Sequence, residues 1–368
     1  MPLDLKTHLT QLCQAHGPSG YEDAVREVLM AEWAELTDEL TVDALGSLVG
    51  IKRGTAEGEP RRSVMLAAHI DEIGMMVREV DGPFLRLHTI AGVDGRVMLA
   101  QPVLVHGKQP LPGVVAAAPP HLLSAEERRK YPRVDDLIVD VGLSAEEVAD
   151  LVRPGDPVTL DVPVLELMGT RLAGKAMDDR ACVAAVTVCL EELQKRSHHW
   201  DVLAVATVQE EVGLRGAQVA AHRLAPDIAI ALDVTFAKQP GVSENEAPFS
   251  LGGGPPISLG PNFHPKLFER LRDTAKALEM TVNIDPLPGR SGTDAWAIQV
   301  ARSGVPTALV NIPLRNMHSP VEMVDLNDIK RAGRLLAEFI TGLEADFLSK
   351  IAWDNPLEEE TAGKAEPC

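Results

Sequence analysis

The chain has 368 residues, 45% of them hydrophobic, and a formal net charge of −19. This length and apolar content suffice for a large core in two structural units, while the charge disfavours nucleic acid, whose phosphates call for a basic face. Every apolar run is broken by charge, Gly or Pro well short of the roughly 18 residues of a membrane span, and Met1-Pro2-Leu3-Asp4 opens no basic-then-apolar signal segment, so a cytoplasmic protein without membrane or nucleic-acid partners is expected.

In chain order, residues 2–16 and 21–36 carry helical apolar spacing, and 41–52 alternates as a hairpin around Asp43-Ala44-Leu45-Gly46. Residues 63–68 read as a buried strand running into His69-Ile70-Asp71-Glu72. From 73 to 162 the texture changes to short strands punctuated by Gly and Pro, as at 103–108, 112–115 and 153–158, the spacing of a small β-barrel or sandwich. His88, His106 and His121 fall inside it and are expected at a surface or interface. Residues 174–180 then lead into a helix at 181–194, on which Cys182 and Cys189 stand seven apart as small core residues; with Cys13 and Cys368 they form no Cys-x-x-Cys pair. His198-His199, after a Lys-Arg turn, read as solvated.

Further strands at 202–208 and 228–232 end at Gln209-Glu210-Glu211-Val212-Gly213 and at Asp233. Glycine-rich loops at 252–255 and 289–294 read either as plain turns or as close approaches of backbone to a ligand. Thr293 is expected to cap a helix beginning at Asp294, and His264 stands before Pro265 at another helix start. A last strand at 305–312 precedes Pro313-Leu314-Arg315-Asn316-Met317-His318. Residues 327–348 are amphipathic, and 358–368 form an acidic tail expected to be disordered.

The acids and histidines of this pattern close strands or open a helix, and an α/β sheet presents its ligand groups at the carboxyl ends of its strands. Asp178, Glu211 and Asp233 buried together need a cation, because unpaired charges are too costly to bury. Two divalent ions and a hydroxide balance the three carboxylates. His69 and His318 offer one imidazole to each ion, and donors of this kind without thiolate suit zinc, cobalt or manganese. Asp71, two residues after His69, can fold back to the imidazole N–H. Glu210 remains for the proton, as general base beside a metal-activated water. On these grounds Asp179 competes with Asp178 as a ligand.

Gly17-Pro18-Ser19-Gly20-Tyr21-Glu22, Ala68-His69-Ile70-Asp71-Glu72-Ile73-Gly74, Lys175-Ala176-Met177-Asp178-Asp179-Arg180, Gln209-Glu210-Glu211-Val212-Gly213, Gly292-Thr293-Asp294 and Met317-His318-Ser319-Pro320-Val321-Glu322 occur in this order. Together they resemble the glutamyl/deblocking aminopeptidases, the tetrahedral (TET) aminopeptidase family, from about residue 5 to about residue 345. The resemblance implies a mixed-sheet α/β/α, zinc-peptidase-like catalytic domain in two parts, 1–72 and 163–350. Between them it implies a β-barrel-like oligomerisation domain at 73–162, and after them a flexible tail at 351–368. It also implies two divalent ions, zinc or cobalt first and manganese next, bridged by Asp178. His69 and Asp233 would complete one ion, Glu211 and His318 the other, with Glu210 as general acid/base and Asp71 as the catalytic-site partner of His69.

The expected activity is removal of N-terminal residues from short peptides, by a homo-oligomer built through the inserted domain, up to a tetrahedral dodecamer. Asn316 departs from the family, which usually has Tyr there; the change touches a pocket wall rather than a ligand. A related carboxypeptidase or N-acyl amino acid deacylase would want a basic pocket, for which Arg290 and Arg315 are candidates. A glycosidase would use two metal-free carboxylates, whereas here histidines accompany them. A non-catalytic metal-binding assembly subunit would have no need of Glu210.

Overall fold

The computed structural model describes residues 3–57 and 61–353. Helices α1 (Leu5–Gln14) and α2 (Asp23–Trp33) lead into the hairpin β1 (Glu39–Val42) and β2 (Leu48–Lys52), followed by β3 (Ser63–His69). Asp43 makes the hairpin turn: its Oδ1 accepts from the N–H groups of Leu45, Gly46 and Ser47 at 2.9, 2.9 and 3.0 Å. Next come β4 (Gly74–Asp81), β5 (Phe84–Ile90), the short helix α3 (Gly95–Met98), β6 (Pro102–His106), β7 (Pro110–Ala116), β8 (Ile138–Asp140), α4 (Ala145–Leu151) and β9 (Pro157–Leu160). Short strands β10 (Leu165–Glu166) and β11 (Arg171–Gly174) precede the long helix α5 (Met177–Leu193). The chain then runs through β12 (Asp201–Thr207), α6 (Arg215–Leu224), β13 (Ile228–Phe236), β14 (Pro256–Leu259), α7 (Pro265–Ala277) and β15 (Asn283–Pro286). It ends with α8 (Asp294–Gln299), β16 (Thr307–Leu314), β17 (Glu322–Asp325), α9 (Leu326–Thr341) and α10 (Phe347–Ile351).

Eight strands form one mixed sheet in the order β1-β2-β12-β3-β13-β16-β14-β15. Its centre, β12, β3, β13 and β16, is parallel. These strands are covered on both faces and so read as continuous apolar runs rather than alternating ones. The alternation survives in what each face packs against. Val64, Leu66, Ala68, Val202, Ala204, Ile228 and Ile230 join residues of α1, α2, α5, α7 and α9 in one core, whereas Met65, Ala67, Leu203, Val205, Ala229 and Ala231 meet α6 and α8 in another. The result is a three-layer α/β/α sandwich. The same period of two assigns His69, Thr207, Asp233 and Asn311 to the α6/α8 face. All four fall near the carboxyl edge, with His69 in register with Thr207 and Asp233 with Asn311.

The barrel grows directly from the strand that carries His69. Only residues 70–73 separate β3 from β4, after which six strands close in the order β4-β5-β8-β7-β6-β9 around Met75, Val77, Leu85, Leu87, Val105, Val139 and Val158. His106 lies where the barrel meets the loop after α1, since His106 Nε2 and His16 Nδ1 approach the same Thr159 hydroxyl at 2.8 and 2.7 Å. His88 is exposed beside Asp135, and His121 is exposed. Cys13, Cys182 and Cys189 are buried as free thiols in the main core.

Two local expectations, those for His198 and Thr293, need correction. His198 is buried rather than solvated, with its Nδ1 2.7 Å from the carbonyl of Trp200, because the turn before β12 folds inward. The amphipathic stretch 327–348 is two helices: α9 ends at its C-cap Gly342 and α10 restarts at Phe347. Thr293 is the N-cap of α8 by position only, since its hydroxyl donates to Ser291 Oγ at 3.0 Å and makes no capping bond. The tail at 358–368 lies outside the described residues, as does all but the start of the segment 351–368. No helix among the described residues is long and apolar enough to cross a membrane.

Candidate metal centre

A buried ion cluster holds the floor of the crevice. Glu72 accepts from Lys175 Nζ at 2.8 Å on each oxygen, from Arg180 Nη2 at 3.2 Å and from the N–H of Gly17 at 2.9 Å. Arg180 has no exposure and spends its remaining donors on main-chain carbonyls: Nη1 donates to Leu12 and Ala15 at 2.6 and 2.5 Å, and Nε to Ile70 at 3.1 Å. Three segments are thereby tied together: the end of α1, the residues after β3 and the first turn of α5. Burial pushes the Glu72 carboxyl up, but Lys175 and Arg180 outweigh it and hold it below the usual range. Burial wins at Lys175, whose ammonium is held below its usual range, yet Lys175 and Arg180 together keep Glu72 ionised.

On this floor Asp71 sets the catalytic-side loops. Its Oδ2 accepts from Ser19 Oγ at 2.6 Å and from the N–H of Glu211 at 3.2 Å, and its Oδ1 from the N–H of Glu210 at 3.0 Å. His69 Nδ1 lies 3.0 Å from the carbonyl of Asp71 and 3.5 Å from its Oδ1. The closer partner of His69 is thus the main chain of Asp71 rather than its carboxylate. A carbonyl only accepts, so Nδ1 carries the proton and the Nε2 lone pair faces the crevice.

Asp178 stands between the two imidazoles. Its Oδ1 is 3.2 Å from His69 Nε2 and its Oδ2 is 3.4 Å from His318 Nε2, which also lies 3.3 Å from Glu211 Oε1. Glu210 Oε2 is 4.0 Å from His69 Nε2. Donor atoms of His69, Asp178 and Glu211 fall within 4.8 Å of one another, as do those of His69, Asp179 and Asp233. The structure therefore brings His69, Asp71, Asp178, Glu210, Glu211, Asp233 and His318 into one crevice. Asp179 joins them from beneath: its Oδ2 accepts from the His69 N–H at 3.2 Å, and its buried Oδ1 has no donor among the described residues.

Two supports escaped the residue-level reading. Glu322, buried on β17, accepts from the N–H of Asp178 at 3.1 Å and from the N–H of His318 at 2.7 Å, fixing the spacing of the two. Burial and the nearby Asp178 push its carboxyl up to about 8. The other support comes from the barrel. Gly92 offers its carbonyl 3.2 Å from His318 Nδ1, which presents Nε2 to the crevice by the tautomer argument used for His69. A Cβ at Gly92 would sit 2.8 Å from that same nitrogen, so only glycine allows the approach. His318 itself has φ 58° and Asn316 φ 59°, a left-handed conformation that Asn accepts more readily than Tyr. That gives a backbone reason for Asn at 316.

The electrostatics favour added positive charge. Burial pushes Glu210 up to about 10 despite His69 and holds Asp233 and Asp179 well above the usual carboxylate range, with neighbouring acids adding to it. Asp294 of α8, whose Oδ2 accepts from Thr207 Oγ1 at 2.5 Å, is raised to about 6 by burial. In the opposite sense, hydrogen bonds to Asp178 and Glu211 lift His318 to about 11. Crowded acids that resist ionisation and an imidazole that clings to its proton make one demand. Imidazole nitrogens and carboxylate oxygens without thiolate fit divalent ions of the zinc, cobalt or manganese type.

Neither Arg290 nor Arg315 makes a basic pocket. The Arg290 guanidinium lies 5.8 Å over the Trp296 ring, and Arg315 Nε donates to the Lys238 carbonyl at 2.6 Å. The 252–255 loop is held by protein rather than poised for ligand, since Gly252 and Gly254 donate their N–H groups to the buried Asp328 carboxylate at 2.6 and 2.9 Å.

Residues 46–335 match the family described as M42 glutamyl aminopeptidase. A lysyl aminopeptidase of Pyrococcus furiosus is 38% identical over 340 residues, covering 90% of this chain and 96% of that protein. Among solved structures, a TET aminopeptidase from a marine-sediment Thaumarchaeota archaeon superposes with TM-score 0.89 at 33% identity, covering 95% of this chain and 99% of that one. The Pyrococcus horikoshii TET1 peptidase, described as assembling into a tetrahedron or a large octahedral shell, superposes with TM-score 0.80 at 30% identity, covering 92% and 100%.

Two tests follow from the supports. Glu72→Gln leaves Lys175 and Arg180 buried without a counter-charge and should lower stability by about 3–5 kcal/mol, read by denaturant unfolding. Because the folded Glu72 value is depressed, its contribution is fully present above the ordinary Glu value and lost as pH falls through the folded one; the gap between variant and wild type should therefore narrow in acid, and a constant gap would remove Glu72 as its source. Gly92→Ala should push the His318 ring aside and weaken binding of zinc in a competition titration while leaving the thermal midpoint nearly unchanged. Unaltered zinc affinity would mean that the barrel does not position His318.

Proposed function

The chain belongs to the M42 glutamyl aminopeptidase family and is a metal-dependent aminopeptidase; on that premise we propose that Asp178 would be shared by two divalent ions, zinc or cobalt by preference and manganese next. His69 and Asp233 would complete one ion, and Glu211 and His318 the other. The observation that carries this reading is the pair of distances from Asp178, one oxygen toward each imidazole, at 3.2 and 3.4 Å. The ions would polarise the scissile carbonyl and make water acidic enough to lose a proton near neutral pH. Glu210 would serve as the general base toward the attacking water and as the acid toward the leaving nitrogen. Its side chain is buried in the crevice, and the hydrogen bond from its own N–H to Asp71 holds its backbone in place. A free α-amine is a donor that the bound ions would accept, which suits short peptides cut at their N-termini.

The chemistry of the preferred residue is not fixed by kinship. The family description names a glutamyl specificity and the Pyrococcus furiosus relative a lysyl one, opposite charges. A cytoplasmic location is proposed with the activity, supported by free buried thiols at Cys13, Cys182 and Cys189.

We further propose a homo-oligomer, up to a tetrahedral dodecamer, assembled through the barrel. Supporting it are assembled relatives and large apolar side chains left exposed on the connection between the barrel strands β7 and β8, Leu122 at 72% and Tyr131 at 76%. Light scattering of a Leu122→Asp, Tyr131→Asp double variant should give a smaller mass than wild type; equal masses would take these residues out of the assembly.

Glu210 and Glu211 are adjacent and chemically identical, yet the reading gives one the proton and the other an ion. Glu210→Gln should lower turnover of an aminoacyl chromogenic substrate by roughly 10²-fold or more with both ions retained. Glu211→Gln should lose or weaken the ion shared with His318. Metal content by mass spectrometry alongside turnover separates the two: loss of metal from the Glu210 variant alone reverses the roles, and full activity in it removes the mechanism.

A further inference from the structure

Beside the centre lies a cavity of about 370 Å³. Its wall includes Val234, Thr293 and Met317, the chain neighbours of Asp233, Asp294 and His318. The cavity therefore adjoins the crevice through these three positions. Aliphatic and aromatic groups such as Leu309 and Phe249 line part of the space, as they would for any long side chain. Two carboxylates, Asp285 and Glu246, share the lining, and no Lys, Arg or His does.

Asp285 is the informative one. It sits on β15 and is only 8% exposed, with its Oδ2 accepting from Asn311 Nδ2 at 3.1 Å and from Ser258 Oγ at 3.4 Å. Among the described residues no hydrogen-bond donor meets Oδ1 and no cation pairs with the carboxylate. Asp285 lines the cavity with one oxygen held by the protein and the other free to accept from a donor that enters it. Glu246 is exposed and accepts from Ser243 Oγ at 2.7 Å, adding a screened negative charge at the rim.

We propose that this cavity receives the side chain of the substrate's N-terminal residue and selects a cationic one, Lys or Arg, with Asp285 as its buried counter-ion and Glu246 as a weaker attractor at the rim. The proposal rests on the aminopeptidase reading of the adjoining centre. An aliphatic side chain gains only the apolar contacts and displaces water from the carboxylate without replacing its hydrogen bonds. A glutamyl side chain brings a second carboxylate against Asp285, and like charges in a confined site repel.

The test is the ranking of kcat/KM for lysyl, arginyl, leucyl and glutamyl p-nitroanilides with the full-length protein loaded with zinc or cobalt. Lys and Arg should exceed Leu by about tenfold or more, with Glu lowest. Asp285→Asn, its metal content checked against wild type, should lower the Lys-to-Leu ratio by about tenfold or more, whereas Glu246→Gln should lower it about two- to threefold, mainly through KM. A preference for Glu over Lys, or an unchanged ratio in Asp285→Asn, overturns the selection of cationic residues while leaving the aminopeptidase intact. Failure to cleave all four substrates with both ions bound overturns the underlying reading instead. If Asp285→Asn does not fold, the wild-type ranking and Glu246→Gln decide the matter.

Discussion

A guanidinium shut off from water is the point on which the site depends. Arg180 closes hydrogen bonds to carbonyls of the α1 end and of Ile70, and pairs with Glu72. Each of those groups, if left alone, would be a buried polar atom without a partner, at a cost of about 1–3 kcal/mol apiece. Their mutual satisfaction ties the start of α5 to the residues following β3. Asp178 and His69 ride on these two segments, so their separation is set by an interaction that touches neither of them.

Charge organises the next layer outward. Asp71 is saturated by Ser19 and by the N–H groups of Glu210 and Glu211, and it can remain an anion without an ion's help. Glu210, Asp179, Asp233 and Asp294 lack that support and are pushed up by burial. Acids that the protein itself satisfies hold the scaffold, and acids that it leaves wanting face the crevice. Asp285 repeats the second pattern in the neighbouring cavity on a smaller scale.

Much of this was legible in the chain because of where the residues fall. His69 and Asp233 each end or interrupt an apolar strand, and a period of two puts them on one face with Thr207 and Asn311, so convergence could be argued before any coordinates. The expected mixed-sheet sandwich with a β-barrel beside it is what the structure shows. Other roles left no local mark. Lys175, Arg180 and Glu322 lie inside recognisable motifs, yet nothing in the residue types says that they hold main-chain groups far away in sequence. His198 looked solvated because a basic turn precedes it, and tertiary folding overrode that cue. The break at Gly342 was visible in principle, as glycine commonly ends a helix. Asp285 sits at the end of an unremarkable edge strand, where only three dimensions reveal the cavity it borders.

Gly92 carries a consequence for how the two parts of the molecule can vary. In sequence the barrel is an insertion, a cassette that drops in between β3 and β10 and looks exchangeable. In space one of its loops touches a histidine more than two hundred residues away, with no room for a methyl group between them. A barrel borrowed from another protein would have to reproduce that loop to within a few tenths of an ångström, or His318 would lose the partner that chooses its tautomer. Exchange of the barrel is thus constrained at the loop that carries Gly92, because the geometry of the centre depends on it.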